Sequence, residues 1–222
     1  MRHVGFLVVV SGLGIAILLT LGTWQLQRLA WKEQVIEDII FRLAGLPEPL
    51  PASPDAAEHK YQAVDLFGTI SGAELHVLVS SKETGTGFRI IQALTENKTG
   101  RRILLERGFV PEAAKNAERS TGPVYVAGNL HWPVERDSFT PQNDPDNNFW
   151  YARDLAEMAA ALKTEPVLVI SREPLGENVR PMGISTSTIP NNHLQYAITW
   201  FSLAFIWAAM TVYFLRRNRA NS

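Results

Sequence analysis

The residues best equipped for chemistry stand at the outer ends of two uncharged, apolar runs. After the first run come Thr23, Trp24, Gln25, Arg28, Trp31 and Lys32. Before the second come Asn191, Asn192 and His193, with Tyr196 and Trp200 close behind. On a helix Trp24, Arg28 and Trp31 share a face, and Gln25, Arg28 and Lys32 overlap it. In antiparallel helices Gln25 and Arg28 come level with His193. Each residue alone has an ordinary role. Trp and Tyr form interface belts, Arg and Lys snorkel, Asn191 or Asn192 caps a helix, and His193 bonds to headgroups. As a set they have another. A neutral imidazole is a good axial ligand for haem iron, and a cation at the interface pairs with carboxylates. Trp24, Tyr196, Trp200 and Phe201 offer flat apolar surfaces for a macrocycle. A haem with its iron near His193 and its propionates near Arg28 or Lys32 fits this set.

Elsewhere the signals are weaker. His3, His59, His76 and His131 are scattered, and no pair has metal-binding spacing. The segment from Phe139 to Trp150 is rich in Asn, Asp and Pro, which turns need, and it lacks a calcium-loop pattern. Its acids Asp144 and Asp146 are the candidates for a cation site or for acid–base work. Glu106-Arg107-Gly108 closes a strand, where an ion pair is expected. No nucleophile elbow or phosphate-binding loop is present. The cysteine count is 0, which excludes disulfides, thiolate metal sites and covalent haem attachment. Met is 4, too few for a Met-rich copper site. A net charge of -1 argues against nucleic acid as a partner.

The elements that must position the set follow from the apolar runs. Residues 4–23 and 194–215 carry no charge, and each is about the ~20 residues that cross a bilayer. The apolar core of the first run exceeds that of a signal peptide and no clear cleavage site follows, so it is expected to stay as an anchor. It leaves no room for a mitochondrial presequence, so a bacterial inner membrane is the expected location. Arg2 precedes the first span, and Arg216, Arg217 and Arg219 follow the second. Short basic flanks stay in the cytoplasm while a long intervening domain crosses. The expected layout is a cytoplasmic terminus at 1–3, spans at 4–23 and 194–215, a periplasmic domain at 24–193 and a cytoplasmic basic tail at 216–222. The short tail argues against a receptor with a cytoplasmic output domain, and two helices alone do not enclose a transport path.

Within the domain, Trp31–Leu43 continues as a helix, with Val35, Ile36, Ile39, Ile40 and Leu43 at helical spacing. A proline-rich linker follows at 47–54. Strands are predicted at Tyr61–Ile70, Glu74–Ser81, Gly87–Leu94, Arg102–Val110, Val124–Leu130 and Glu165–Ser171, with a hairpin turn at Asn97–Gly100. Asp154 caps one internal helix with Glu157 answering, and Leu155, Met158, Ala159 and Leu162 line its face. The fold class is a membrane protein: two antiparallel transmembrane α-helices flank a periplasmic α+β domain rich in antiparallel strands.

Four blocks carry a family likeness. Gly22-Thr23-Trp24-Gln25-Leu26-Gln27-Arg28 with Trp31-Lys32 resembles the first-span signature of the Surfeit locus protein 1 family. Arg107-Gly108-Phe109-Val110-Pro111 resembles its central strand motif. Asn143-Asp144-Pro145 with Trp150-Tyr151-Ala152-Arg153-Asp154-Leu155 resembles its next block. Asn192-His193-Leu194-Gln195-Tyr196 with Thr199-Trp200-Phe201 resembles its second-span signature. The blocks occur in the family's order over nearly the whole chain. The resemblance implies a non-enzymatic assembly factor for haem-copper terminal oxidases of the aa3 cytochrome c type. It implies non-covalent binding of haem a and help with its insertion into subunit I, with His193 as the family's proposed haem contact. Implied partners are cytochrome c oxidase subunit I, haem A synthase and membrane lipid. A scaffold that holds subunit I without cofactor is the alternative.

Overall fold

Proline is absent from the chain before Pro47, and the first segment forms one helix, α1 (Arg2–Ala44). The computed structural model describes residues 2–81, 84–187 and 189–220. The side chains of Arg2, His3 and Arg219, part of the expected basic flanks and histidine inventory, lie outside the described set. At 43 residues α1 is roughly 65 Å long, about twice the hydrocarbon thickness of a bilayer. The helical continuation expected over Trp31–Leu43 is therefore the second half of a single rod. It stops where the Gly45 amide bonds back to the Arg42 carbonyl at 3.3 Å and Pro47 follows. Near the other end of the chain lies a second long helix, labelled α4 below (His193–Ala220). Both helices are long and apolar enough to cross a membrane.

The chain divides into two compact units. One is helical and comprises Met1–Asp38 with Thr186–Ser222; the other, Ile39–Ser185, is built on a mixed sheet. Its strands are β1 (Glu48–Pro49), β2 (Ala63–Ser81), β3 (Gly85–Glu96), β4 (Arg102–Pro111), β5 (Gly122–His131) and β6 (Leu168–Ser171). Short helices α2 (Ala56–His59) and α3 (Leu155–Leu162) complete it, followed in the chain by α4. Two predicted strands, Tyr61–Ile70 and Glu74–Ser81, are one strand. A bulge between Ile70 and Glu74 bends β2 without ending it. The proline-rich linker is partly pinned, because Glu48 and Pro49 pair in parallel with Val64 and Asp65.

Pairing runs β2–β3–β4–β6–β5 and returns to β2, so the sheet closes on itself. Closure pairs each of those strands on both sides over part of its length. All contacts in the ring are antiparallel except β4–β6. One core cluster gathers Leu66, Ile70, Leu94, Ile103, Leu105, Val126 and Val169. The alternate residues Leu75, Val77, Ile91, Leu104 and Leu168 instead meet Trp150 and α3. The period-two alternation of a strand accounts for both. Helix α3 is capped as expected: Asp154 accepts from the amides of Ala156 and Glu157 at 3.1 and 3.2 Å. The Glu157 carboxylate serves elsewhere, accepting from Asn143 at 2.7 Å.

Charge is buried in this unit. Glu106 is 0 % exposed and accepts from Arg89 and, at 2.7 Å, from Arg153. Its ion pairs are thus with distant residues and not with neighbouring Arg107. Arg153 also donates to Glu135 through Nε at 3.1 Å. Burial pushes the Glu106 carboxyl up, but Arg153 and Arg89 together outweigh it and hold it below the ordinary carboxylate range. Arg107 points to the opposite side of β4. It donates to Gln92 at 2.7 Å, to the Ser120 carbonyl at 2.9 Å and to the Leu175 carbonyl.

Nearby, His131 stacks on Tyr61 with ring centroids 5.6 Å apart. Burial, with the charges of Arg153 and Lys60, pushes its imidazole down to about 4. In the unfolded chain the same group titrates near ~6.5. Between those values the unfolded state holds more protons, so acidification destabilises the fold. Stability from this group is complete above about pH 6.5 and falls by about 3 kcal/mol as pH drops through 4. Chemical denaturation of the full chain in detergent at pH 7 and pH 5 is the measurement. His131→Gln should lose less stability over that interval than wild type; an equal loss would show that other groups drive the change.

Candidate functional site

The helical unit is held by a stripe of small residues. On α1, Ser11, Gly22 and Gln25 are buried, and on α4, Ala197 and Ala204 are buried. A Cβ added at Gly22 would lie 2.7 Å from the Phe201 ring, and one at Gly14 would lie 2.6 Å from the Trp207 ring. Each glycine therefore makes room for an aromatic side chain of the facing helix. Without a hydrophobic drive between helices in lipid, such close packing is a main source of association. Gly14 meets Trp207, Gly22 meets Phe201, and Gln25 meets His193. Rising numbers on α1 match falling numbers on α4, so the helices are antiparallel. That register brings two sequence-predicted residues together. His193 Nδ1 and Gln25 Oε1 are 2.7 Å apart, and Gln25 is only 9 % exposed.

An amide oxygen only accepts, so Nδ1 of His193 carries the proton and donates. A neutral ring with that proton has its lone pair on Nε2, and His193 is half-buried at the first position of α4. Two further polar atoms close by in sequence are buried with no hydrogen-bond partner among the described residues: Asn191 Oδ1 and Trp200 Nε1. One is an acceptor and the other a donor. Neither is normal for a finished protein interior, because a buried polar group without a partner costs about 1–3 kcal/mol.

The other candidates are placed differently. Trp24 and Arg28 are exposed, away from the stripe that carries Gln25. The Arg28 guanidinium lies 4.5 Å from the centre of the exposed Trp31 ring, a cation–π contact. Lys32 is half-buried, two helical turns along from Gln25. The Tyr196 ring is exposed while its amide bonds to the Asn192 carbonyl at 3.2 Å, within the first turn of α4. Trp200 is half-buried. The structure thus joins Gln25 to His193 and sets Trp24, Arg28, Trp31 and Tyr196 at the exposed surface of the helix pair.

These placements accompany sequence likeness along most of the chain. The SURF1 family model matches residues 13–205, which run through most of α1, the whole of the sheet unit and the first part of α4. The chain belongs to the SURF1 family. It is 34% identical over 221 residues to a SURF1-like protein of Monosiga brevicollis, covering 90% of this chain and 84% of that one. It is 31% identical over 215 residues to Surfeit locus protein 1 of Xenopus tropicalis, covering 85% and 70%. Against Surfeit locus protein 1 of Homo sapiens it is 30% identical over 214 residues, covering 84% and 71%.

The structure gives the SURF1 motif residues physical roles. Gly22 seats Phe201, Gln25 bonds His193, and Arg107 ties β4 to the segments around Ser120 and Leu175. Asn143 accepts from the amides of Tyr151 and Ala152 at 2.9 and 3.2 Å, which holds the turn before α3. Asp144 closes its own turn, accepting from the Asn147 side chain at 2.7 Å. Those bonds, the Asn147 side chain's first, hold the Asp144 carboxyl below its ordinary range. The helix seam was legible only in retrospect, as the spacing of Ser11, Gly14, Gly22 and Gln25. An apolar groove of about 500 Å³ also lies on the helix pair, lined by residues such as Leu18, Leu203, Trp207 and Met210. It holds no titratable group.

Proposed function

We propose that this SURF1-family chain is an assembly factor of an aa3-type cytochrome c oxidase. It binds haem a at the outer ends of its two helices and assists insertion into subunit I. It sits in a bacterial inner membrane with both termini in the cytoplasm and the sheet unit in the periplasm. The basic residues beyond each apolar run support that orientation. Subunit I and haem A synthase are its proposed partners, with lipid around the helices, and no catalytic step is assigned to the chain.

The observation that carries the reading is the Gln25–His193 hydrogen bond, which leaves Nε2 as an open donor. The donor set suits haem better than a bare ion. Among the described residues no group of three or more His, Cys, Asp or Glu side chains is placed to hold a metal ion, and His193 offers one ring nitrogen. A porphyrin brings the other four nitrogens. Trp200 Nε1 and Asn191 Oδ1 offer a donor and an acceptor for polar substituents of a bulky ligand. When bound, haem supplies an iron that takes one imidazole nitrogen. The chain's part is to present Nε2, to face the macrocycle with aromatic surface and to hold it without a covalent bond, so that release remains possible.

Purification from cells that make haem A, followed by absorption spectroscopy, tests this. Wild type should carry haem a, and His193→Ala should lose most of it or shift its spectrum. Unchanged haem content and spectrum in His193→Ala would remove the ligand assignment. The exposure of Trp24, Trp31 and Tyr196 favours a second reading, a scaffold for subunit I. Oxidase subunits co-purifying with a haem-free protein under the same conditions would select it.

A further inference from the structure

A histidine that ligates a metal through one ring nitrogen needs its other nitrogen held. The partner fixes the tautomer, orients the ring and raises ligand basicity. The usual partner is a carboxylate, a backbone carbonyl or water. In this chain the place is taken by a side-chain amide from the other long helix. Gln25 stands 168 positions away from His193 in sequence, yet its Oε1 lies 2.7 Å from Nδ1.

We propose that Gln25 is the positioning residue of His193: it fixes the Nδ1–H tautomer and aims Nε2 outward as the ligand nitrogen. Its purpose rests on the haem reading above, while its geometry rests on the hydrogen bond alone. Three features support the assignment. Gln25 is buried although it is polar, and His193 is the side-chain partner that accounts for its position. It lies on the small-residue stripe, one turn beyond Gly22, where the close approach to Phe201 sets the distance between the helices. Asn191, a neighbouring polar side chain, has a buried Oδ1 without a partner among the described residues, and Gln25 is the one bound to the ring. A neutral amide is also apt chemically. A carboxylate at this position would draw the proton further from Nδ1 and make the ring a stronger, less readily released donor. An amide orients the ring with less added basicity, which suits a protein that hands its ligand on.

The proposal separates a state of the haem-free protein from an effect on binding, and both are measurable on the full chain in detergent. In haem-free protein with ¹⁵N-labelled histidine, the signals lost in His193→Ala identify His193. At a pH where the ring is neutral, wild type should show Nδ1 protonated and Nε2 bare. Gln25→Leu should shift the proton toward Nε2. Gln25→Glu, which can still accept from Nδ1, should restore the wild-type tautomer. Titration with haem A should then show affinity about 10–100-fold weaker in Gln25→Leu, with Gln25→Glu at least as tight as wild type. A wild-type ring protonated on Nε2, or a tautomer unmoved in Gln25→Leu, would overturn the proposal. So would a tautomer that moves without any change in haem affinity or spectrum. Should His193→Ala bind haem A as wild type does, the haem reading fails instead, and the ¹⁵N result still reports whether Gln25 sets the tautomer.

Discussion

Replacing Glu106 with alanine is expected to cost the sheet unit about 3–5 kcal/mol, which for a chain of this size lowers the melting temperature by roughly 6–20 °C. The carboxylate is wholly buried on β4 and accepts from two guanidinium groups, Arg89 and Arg153. The Arg153 side chain is itself 7% exposed and that of Arg89 18%. Removing the acid leaves two cations largely out of water. Glu135 still pairs with Arg153, but Arg89 has no other acid within bonding distance among the described residues. Desolvating a charge without a partner is far more costly than the pair itself is stabilising. Arg136→Ala is the control. It also breaks an Arg–carboxylate pair, with Glu157 at 3.5 Å, but both side chains are exposed, 37% and 47%. A surface pair contributes about 0–1 kcal/mol, so that variant should melt within a few degrees of wild type. Thermal unfolding of both variants in detergent, followed by circular dichroism, is the measurement. Equal shifts would mean that burial of Glu106 does not govern its contribution.

Gly108→Ala should be of similar size for a different reason. Gly108 has φ +137, a region that side chains avoid. A Cβ there would enter the carbonyl of Arg180. That carbonyl accepts from the Phe109 amide at 2.7 Å, and the Arg180 amide returns a bond to the Phe109 carbonyl at 2.9 Å. Two backbone bonds and one unstrained conformation are lost together, about 3–5 kcal/mol by summing typical costs of each. Gly72→Ala is the contrast, because nothing lies within 4 Å of its added Cβ. Urea unfolding should show Gly108→Ala strongly destabilised and Gly72→Ala close to wild type. If the two behave alike, the strand-to-loop bridge at Phe109 and Arg180 does not hold the fold.

Much of this molecule is legible along the chain because its signals are local. An uncharged run of membrane length is read without knowing any partner, and α1 and α4 are those runs. Asp154 before Leu155 announces a capped helix, and α3 begins there. Strand positions followed from alternation and punctuation. What alternation does not carry is continuity: the Gly72-containing bulge looks like a break, yet β2 runs through it. Nor does it carry partners. Closure of the ring through β2 and β5 joins partners as distant in sequence as Ala63 and Asn129, and no local pattern marks it.

The same division holds at the candidate site. Run length and polarity are enough to place Gln25, Arg28, His193 and Trp200 near the ends of two antiparallel helices. Which of them meet is settled by packing. Helical spacing puts Trp24, Arg28 and Trp31 on one face but does not say which face packs. Packing is chosen where the facing aromatic rings find room, and that is the stripe bearing Gly14 and Gly22. Gln25 lies on that stripe, and Trp24 and Arg28 do not. The pairing of His193 with Gln25, and the ring nitrogen it leaves free, follow from that choice.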